Sequence, residues 1–339
     1  MNKILYLSLL IALSSCKGMQ SIPVSQIETL YFEHNNAEDI NFGSTITGKV
    51  MVRMQSGREL DVSNNKKLGF ASLDIERDGK SNSYRIIKKP TSFEDDIATI
   101  TLSLSDKNET FRIFDTVRMN FRGNLWVDCS GEDGKDGLDQ KDRANPLLLK
   151  NGKDGENGTN GTDGASAATY QVHVWKEEDV IYTNITNAST GVSWKYKTVK
   201  GAKVTYDVSG GNGGKGGDGG DGSDGKDGKL KDGEQIDPGD GGDGGNGGDG
   251  GNGGNGGSIV VVLHEDAKVL QPNLNFNTLG GNGGNAGLAG KAGEAGTPLA
   301  GQTPSLPGSP GVNGVRGQNG VNGSLPNVTI ESFSPSQFK

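Results

Sequence analysis

Four aspartates, Asp218, Asp221, Asp224 and Asp227, recur at every third residue. On a backbone with three residues per turn they fall on one face, where a column of carboxylates could bind a cation loosely. Other chemistry finds little support. Asp74, Glu76, Asp78 and Gly79 occupy the first, third, fifth and sixth places of a calcium loop, but the twelfth place, which needs a bidentate glutamate, is Arg85. That stretch reads instead as a hairpin turn at Asp78-Gly79. His34, His173 and His264 are isolated and lack metal-ligand spacing. "GGNGGKGG" meets a dinucleotide glycine pattern trivially and runs into more glycine rather than a helix. A calcium β-roll would need a nine-residue period. Cys129 reads as a small strand-end residue, with no His or Asn pattern to make it a nucleophile. The residues therefore point to no catalysis, no cofactor and no metal centre beyond the loose aspartate row.

The start of the chain is a targeting segment. Lys3 precedes a short apolar run at residues 4–13, too short for a comfortable membrane span. The run ends in Leu13-Ser14-Ser15-Cys16, which resembles the lipobox of bacterial lipoproteins. That resemblance implies cleavage after residue 15, lipid attachment at Cys16 and stable anchoring by several acyl chains, palmitate among them. Lys17 follows, not the Asp that often marks inner-membrane retention, so the resemblance points to the outer membrane. With Cys16 capped by lipid, Cys129 would have no intrachain partner.

Charge is unevenly placed. Residues 17–130 carry 15 basic and 16 acidic groups, residues 131–339 carry 18 and 26. An acidic, well-solvated C-terminal half is a poor nucleic-acid ligand, which needs a basic footprint.

Two patterns organise the chain. From Ile27 to Val127, short segments of period two rich in β-branched and aromatic residues alternate with turn signals. "IETLYFEH", "TITGKVMVRMQ", "IATITLSLSD" and "LWVDC" are examples. Seven to nine strands at this spacing predict an antiparallel, immunoglobulin-like β-sandwich. From residue 131 onward glycine recurs every third residue in runs at 131–137, 152–164, 210–228, 241–257, 281–296 and 308–323. Polyproline-II has three residues per turn and no internal hydrogen bonds, so its backbone groups need outside partners. A glycine face lets another backbone come close enough to supply them.

The runs differ in how many faces are bare. Runs 210–220 and 241–257 are Gly-Gly-Xaa, 281–296 puts Ala in the second place, and 152–164 and 308–323 have a single glycine face. This gradation predicts a polyglycine-II bundle with the first three runs central and the last two peripheral. A collagen triple helix would need only one bare face and abundant proline. The short run at 131–137 reads as a linker. Strands such as "TYQVHVWKEED", "SIVVVLH", "LNFNTLG" and "NVTIESF" punctuate the runs and predict a small β-sheet, with Val204, Tyr206, Val260, Val262, Leu274, Phe276, Val328 and Ile330 as its core.

The chain thus divides into a lipoprotein signal at 1–15, an anchor and tether at 16–26, a β-sandwich at 27–130, a glycine-rich junction with the first polyproline-II run at 131–168, and strands alternating with Gly-Gly-Xaa helices at 169–339. A lipobox, a β-domain, a "DGKDG" junction and blocks such as "GGNGGSIVVVLHEDAKVL" together resemble glycine-rich surface lipoproteins of Bacteroidetes. That type carries no agreed activity and lends no site residues. The expectation is a non-catalytic protein of the outer membrane or cell surface, held in the membrane through Cys16, that acts as a structural or adhesive module toward an outer-membrane protein or surface glycan. The alternatives are an accessory subunit of an outer-membrane complex, a trimeric collagen-like stalk and, least favoured, a surface hydrolase.

Overall fold

The computed structural model describes residues 22–35, 39–79, 82–107, 109–145 and 150–339. Cys16 and the segment read above as a targeting signal lie outside the described residues. The chain is all-β, in several sheets, and forms two compact units.

The first unit comprises 45–85, 97–117 and the described residues before 37. Its strands are β1 (Ile27–His34), β2 (Thr45–Met54), β3 (Glu59–Asp61), β4 (Leu68–Ala71), β5 (Ile75–Arg77), β6 (Ser83–Ile86), β7 (Ile97–Ser105) and β8 (Thr110–Arg118). One sheet has the order β1-β2-β6-β5, with β3 also on β2, and another has the order β4-β7-β8. The paired registers of β1 with β2 and of β4 with β7 are antiparallel. Alternation along β2 buries Ile46, Val50 and Val52 on one face, as a half-buried strand requires. Tyr84 is fully buried, with the Phe32 ring edge-on at 4.7 Å. Asp78 and Gly79 follow β5, and Gly79 takes a left-handed φ of 57°, as the hairpin reading expects.

The second unit comprises 38–44, 86–96 and 118–339. Here β9 (Leu125–Asp128) is not part of the N-terminal sheets: it pairs in parallel with β13 (Val204–Asp207), which pairs in parallel with β17 (Leu274–Asn277). A five-stranded sheet has the order β12-β11-β10-β16-β18, with β10 (Thr169–Glu177), β11 (Val180–Asn187), β12 (Ser193–Val199), β16 (Ser258–Leu263) and β18 (Asn327–Ile330). Its β10, β16 and β18 are mutually parallel. The remaining β14 (Lys229–Lys231) and β15 (Glu234–Ile236) form a hairpin whose Asp232 and Gly233 both have positive φ, 52° and 85°. A two-residue turn of that kind needs this conformation.

Two sheets stand where one small sheet was expected. Val204 and Tyr206 are fully buried, but on β16 the alternation is offset from the expected one. Ile259, Val261 and Leu263 are the most enclosed, Val262 is buried at 8% exposure, and Val260 is half-buried. Leu274, Phe276 and Val328 are half-buried, and Ile330 is exposed, because β17 and β18 are edge strands. A 3-10 turn at Glu265–Asn273 precedes β17. The C-terminal tail returns over β10: the Phe338 ring stacks on His173 at 4.3 Å and on the fully buried Trp175 at 5.8 Å, while Lys339 Nζ meets Glu177 at 2.6 Å.

Candidate functional site

The glycine-rich segments are the most distinctive surface of the second unit, and the aspartate row lies within them. Six extended runs are defined by their hydrogen bonds: I (131–145), II (150–168), III (208–228), IV (239–257), V (278–297) and VI (306–325). No glycine in them has a left-handed φ. Strands β9, β13 and β17 lead into I, III and V, and II, IV and VI lead into β10, β16 and β18. Strand and run are both extended, so each parallel sheet passes into a parallel layer of runs. At two entries the turn is fixed the same way: Asp128 Oδ1 accepts the Ser130 hydroxyl at 2.7 Å, and Asp207 Oδ1 accepts the Ser209 hydroxyl at 2.6 Å.

The odd layer holds I, III and V, the even layer II, IV and VI, and the layers run antiparallel to one another. One triplet, Asp240-Gly241-Gly242, defines the bonding. The Asp240 N–H donates to Asn151 Oδ1 on run II at 3.2 Å, the Gly241 N–H to the Leu306 carbonyl on run VI at 2.9 Å, and the Gly242 N–H to the Ser223 carbonyl on run III at 2.9 Å. We call these the ladder, lateral and cross-layer positions. The pattern repeats at each triplet of run IV, so no main-chain donor in it is left over.

The glycines follow from this geometry. A β-carbon on the lateral Gly247 would sit on the Gly287 carbonyl of run V, and one on the cross-layer Gly248 would sit on the Thr159 carbonyl of run II. Each such β-carbon points in one sense across the array. Runs III, IV and V meet a neighbour in both directions and need two small residues per triplet, whereas I, II and VI meet a neighbour in only one. Run II borders I, III and IV, as many runs as V does, yet holds Lys153, Glu156 and Thr159, all exposed, with the Thr159 hydroxyl accepting the Leu138 N–H of run I at 2.7 Å. The grading by bare faces therefore places III and IV at the centre, while V is no more enclosed than II. Residues 131–145 are not a linker: Gly131, Gly134 and Gly137 donate to Ser209, Asn212 and Lys215 of run III at 2.7–2.8 Å.

The aspartate row has a structural task. Asp218, Asp221, Asp224 and Asp227 accept the N–H groups of Leu288, Lys291, Glu294 and Thr297 on run V at 2.7–2.9 Å. In turn, Asp139, Asp142 and Asn145 of run I accept the N–H groups of Asp218, Asp221 and Asp224. These bonds hold the Asp218 carboxyl below its ordinary range, chiefly through the Leu288 N–H and then through Lys215, and the Asp227 carboxyl through Thr297. A carboxylate or amide at every third residue is thus the acceptor that a neighbouring ladder N–H requires. The signal was in the sequence: all six ladder residues of run IV are Asp or Asn.

The other candidates separate. The Asp74 carboxylate accepts the Thr99 N–H at 2.8 Å and its hydroxyl at 2.9 Å, which ties the connection between β4 and β5 to β7. Among the described residues no group of three or more His, Cys, Asp or Glu could hold a metal. His34, His173 and His264 pack against aromatic rings. Cys129 is buried, and burial pushes its thiol up to about 12, which keeps it protonated and unreactive. Bonded within one chain and antiparallel between layers, the runs also lack the three parallel chains of a collagen helix. No helix among the described residues is long and apolar enough to cross a membrane. Compared with protein-family models, curated proteins and solved structures, the chain has no match.

Proposed function

We propose that this chain is a non-catalytic, lipid-anchored protein of the outer membrane or cell surface, with an N-terminal β-sandwich and a polyglycine-II bundle that serves as a rigid structural or adhesive module. The observation that carries this reading is the complete pairing of run IV, whose ladder, lateral and cross-layer N–H groups each meet an acceptor on a different run. Such an array fixes six chain segments without an apolar core, leaving two faces rich in Asp and Asn exposed to a partner. The acidic surface fits a protein or glycan partner and disfavours nucleic acid. Anchoring rests on the lipobox-like Leu13-Ser14-Ser15-Cys16.

Growing cells with an alkyne-tagged fatty acid and fractionating their membranes tests the anchor. The full chain should carry the tag and sediment with the outer membrane, and Cys16→Ala should lose both. Label retained by that variant would refute lipidation at Cys16.

A further inference from the structure

Run VI closes the even layer with ladder side chains unlike those of its neighbour, run IV. Its ladder positions are Leu306, Ser309, Val312, Val315, Gln318 and Val321, where run IV has only Asp and Asn. Val312, Val315 and Val321 are 69–71% exposed. Residues 295–330 hold no acidic group and a single charge, Arg316, in a chain of net charge −8. The lateral positions that follow Val312, Val315, Gln318 and Val321 are Asn313, Arg316, Asn319 and Asn322. By analogy with Gly241, their N–H groups face the place of a next run, and no group of the chain accepts them among the described residues. Nearer the start of the run, Pro307 and Pro310 occupy the same lateral position and present no N–H at all.

We propose that this edge is a docking site for one extended polyproline-II strand built of Gly-Pro-Xaa triplets, lying parallel to run VI. The inference deepens, and rests on, the reading of the bundle as a binding module. Each requirement comes from the bonding of the existing runs. The docking strand must offer a carbonyl every third residue to the N–H groups of Asn313, Arg316, Asn319 and Asn322. Opposite Val312, Val315 and Val321 its own ladder residue finds no acceptor, so there that residue must lack an N–H, and proline is the residue that does. Its cross-layer residue must be glycine, because a β-carbon there would strike a run VI carbonyl, as one on Gly311 would strike Gly245 of run IV. The third residue points away from the array and is free. Proline rings against Val312, Val315 and Val321 remove apolar surface from water, and the absence of acidic side chains lets an uncharged strand approach. A further Asn/Asp-rich run would be refused, because its ladder N–H groups would be desolvated against valine.

The experiment is residue-resolved hydrogen exchange on the full chain in detergent, with synthetic peptides of six triplets. Gly-Pro-Ser peptide should slow exchange at Asn313, Arg316, Asn319 and Asn322 about tenfold at about nine-tenths occupancy. Gly-Asn-Ser and Ala-Pro-Ser peptides should not. The Val312→Asn/Val315→Asn variant, changed only at exposed positions, should gain protection from the Gly-Asn-Ser peptide. No slowing by Gly-Pro-Ser, equal slowing by Ala-Pro-Ser, or no gain by the variant would overturn the proposal. Protection across runs III and IV, read in the same experiment, separates the outcomes: if it persists while the peptides do nothing, the docking site fails and the bundle stands, and if it is missing, the bundle itself fails.

Discussion

Asn246 Oδ1 accepts the main-chain N–H of Val312 at 2.9 Å across two adjacent runs. The same relationship links Asp154 to Asp243 and Asp218 to Leu288. Removing the acceptor strands the N–H next to a packed backbone. Asn246→Val should lower stability by about 0.5–1.5 kcal/mol, whereas Asn246→Ser should be close to silent, since Ser166 fills the same place and accepts the Asn255 N–H at 2.9 Å. Denaturant unfolding of the two variants checks this: equal stability for Val and Ser would remove the ladder as a source of stability.

Glycine should be required by direction, not by sequence neighbourhood. The lateral residue is Gly247 in run IV, where a β-carbon would meet the Gly287 carbonyl of run V, and Arg316 in run VI, which is exposed. Gly247→Val should cost about 1–3 kcal/mol or more through overpacking, while Arg316→Val should stay within about 1 kcal/mol of the parent. Thermal unfolding separates the pair, and similar losses at both sites would contradict the assignment of faces.

How much of this was legible beforehand follows from the same residues. The period of three, the two bare faces of III, IV and V and the single one of VI could be read directly. The equal enclosure of II and V could not, because a residue such as Glu156 looks bulky in sequence and its outward direction depends on which neighbour is missing. The period-two strands were equally plain, but "LWVDC" gave no hint that β9 pairs in parallel with β13 some 79 residues later: parallel pairing needs a long crossover, and alternation says nothing about the partner. The Asp row looked like a cation site because acceptor geometry on a neighbouring run is invisible in one run taken alone.

Acid should loosen the ladder at specific rungs. The Asp218 and Asp227 carboxyls lie below the ordinary 3.8 in the folded chain. A depressed folded value means their contribution is full above the unfolded value and is lost as pH falls through the folded one. Stability should therefore decline below about pH 4, and Asp218→Asn, which keeps the acceptor and removes the titration, should flatten that decline. An unchanged slope in the variant would show that this rung does not carry it.

The tail offers a second pH response. Burial holds the His173 imidazole below its ordinary 6.5, with Glu331 opposing, and Phe333 and Phe338 flank the ring. Glu177, Asp266, His264 and Lys339 are the other titratable or charged groups bonded or stacked in this cluster. The neutral ring favours the docked tail above pH 6.5, and that contribution is lost as pH falls through the lower folded value. Trp175 fluorescence should report tail release in acid, and His173→Phe should shift or abolish the transition. A transition unchanged in the variant would assign it to another group.

The claim on which the rest depends is that run IV is paired on all sides within one chain. Hydrogen-bond couplings between amide nitrogen and carbonyl carbon, measured by NMR on deuterated, uniformly labelled protein, test it directly. The expected result is through-bond correlations from Gly247 to Val312 and from Gly248 to Gly217, both persisting within single chains when labelled and unlabelled protein are mixed. Random-coil shifts without couplings across 241–257, or couplings that weaken on mixing because they join different chains, would contradict it.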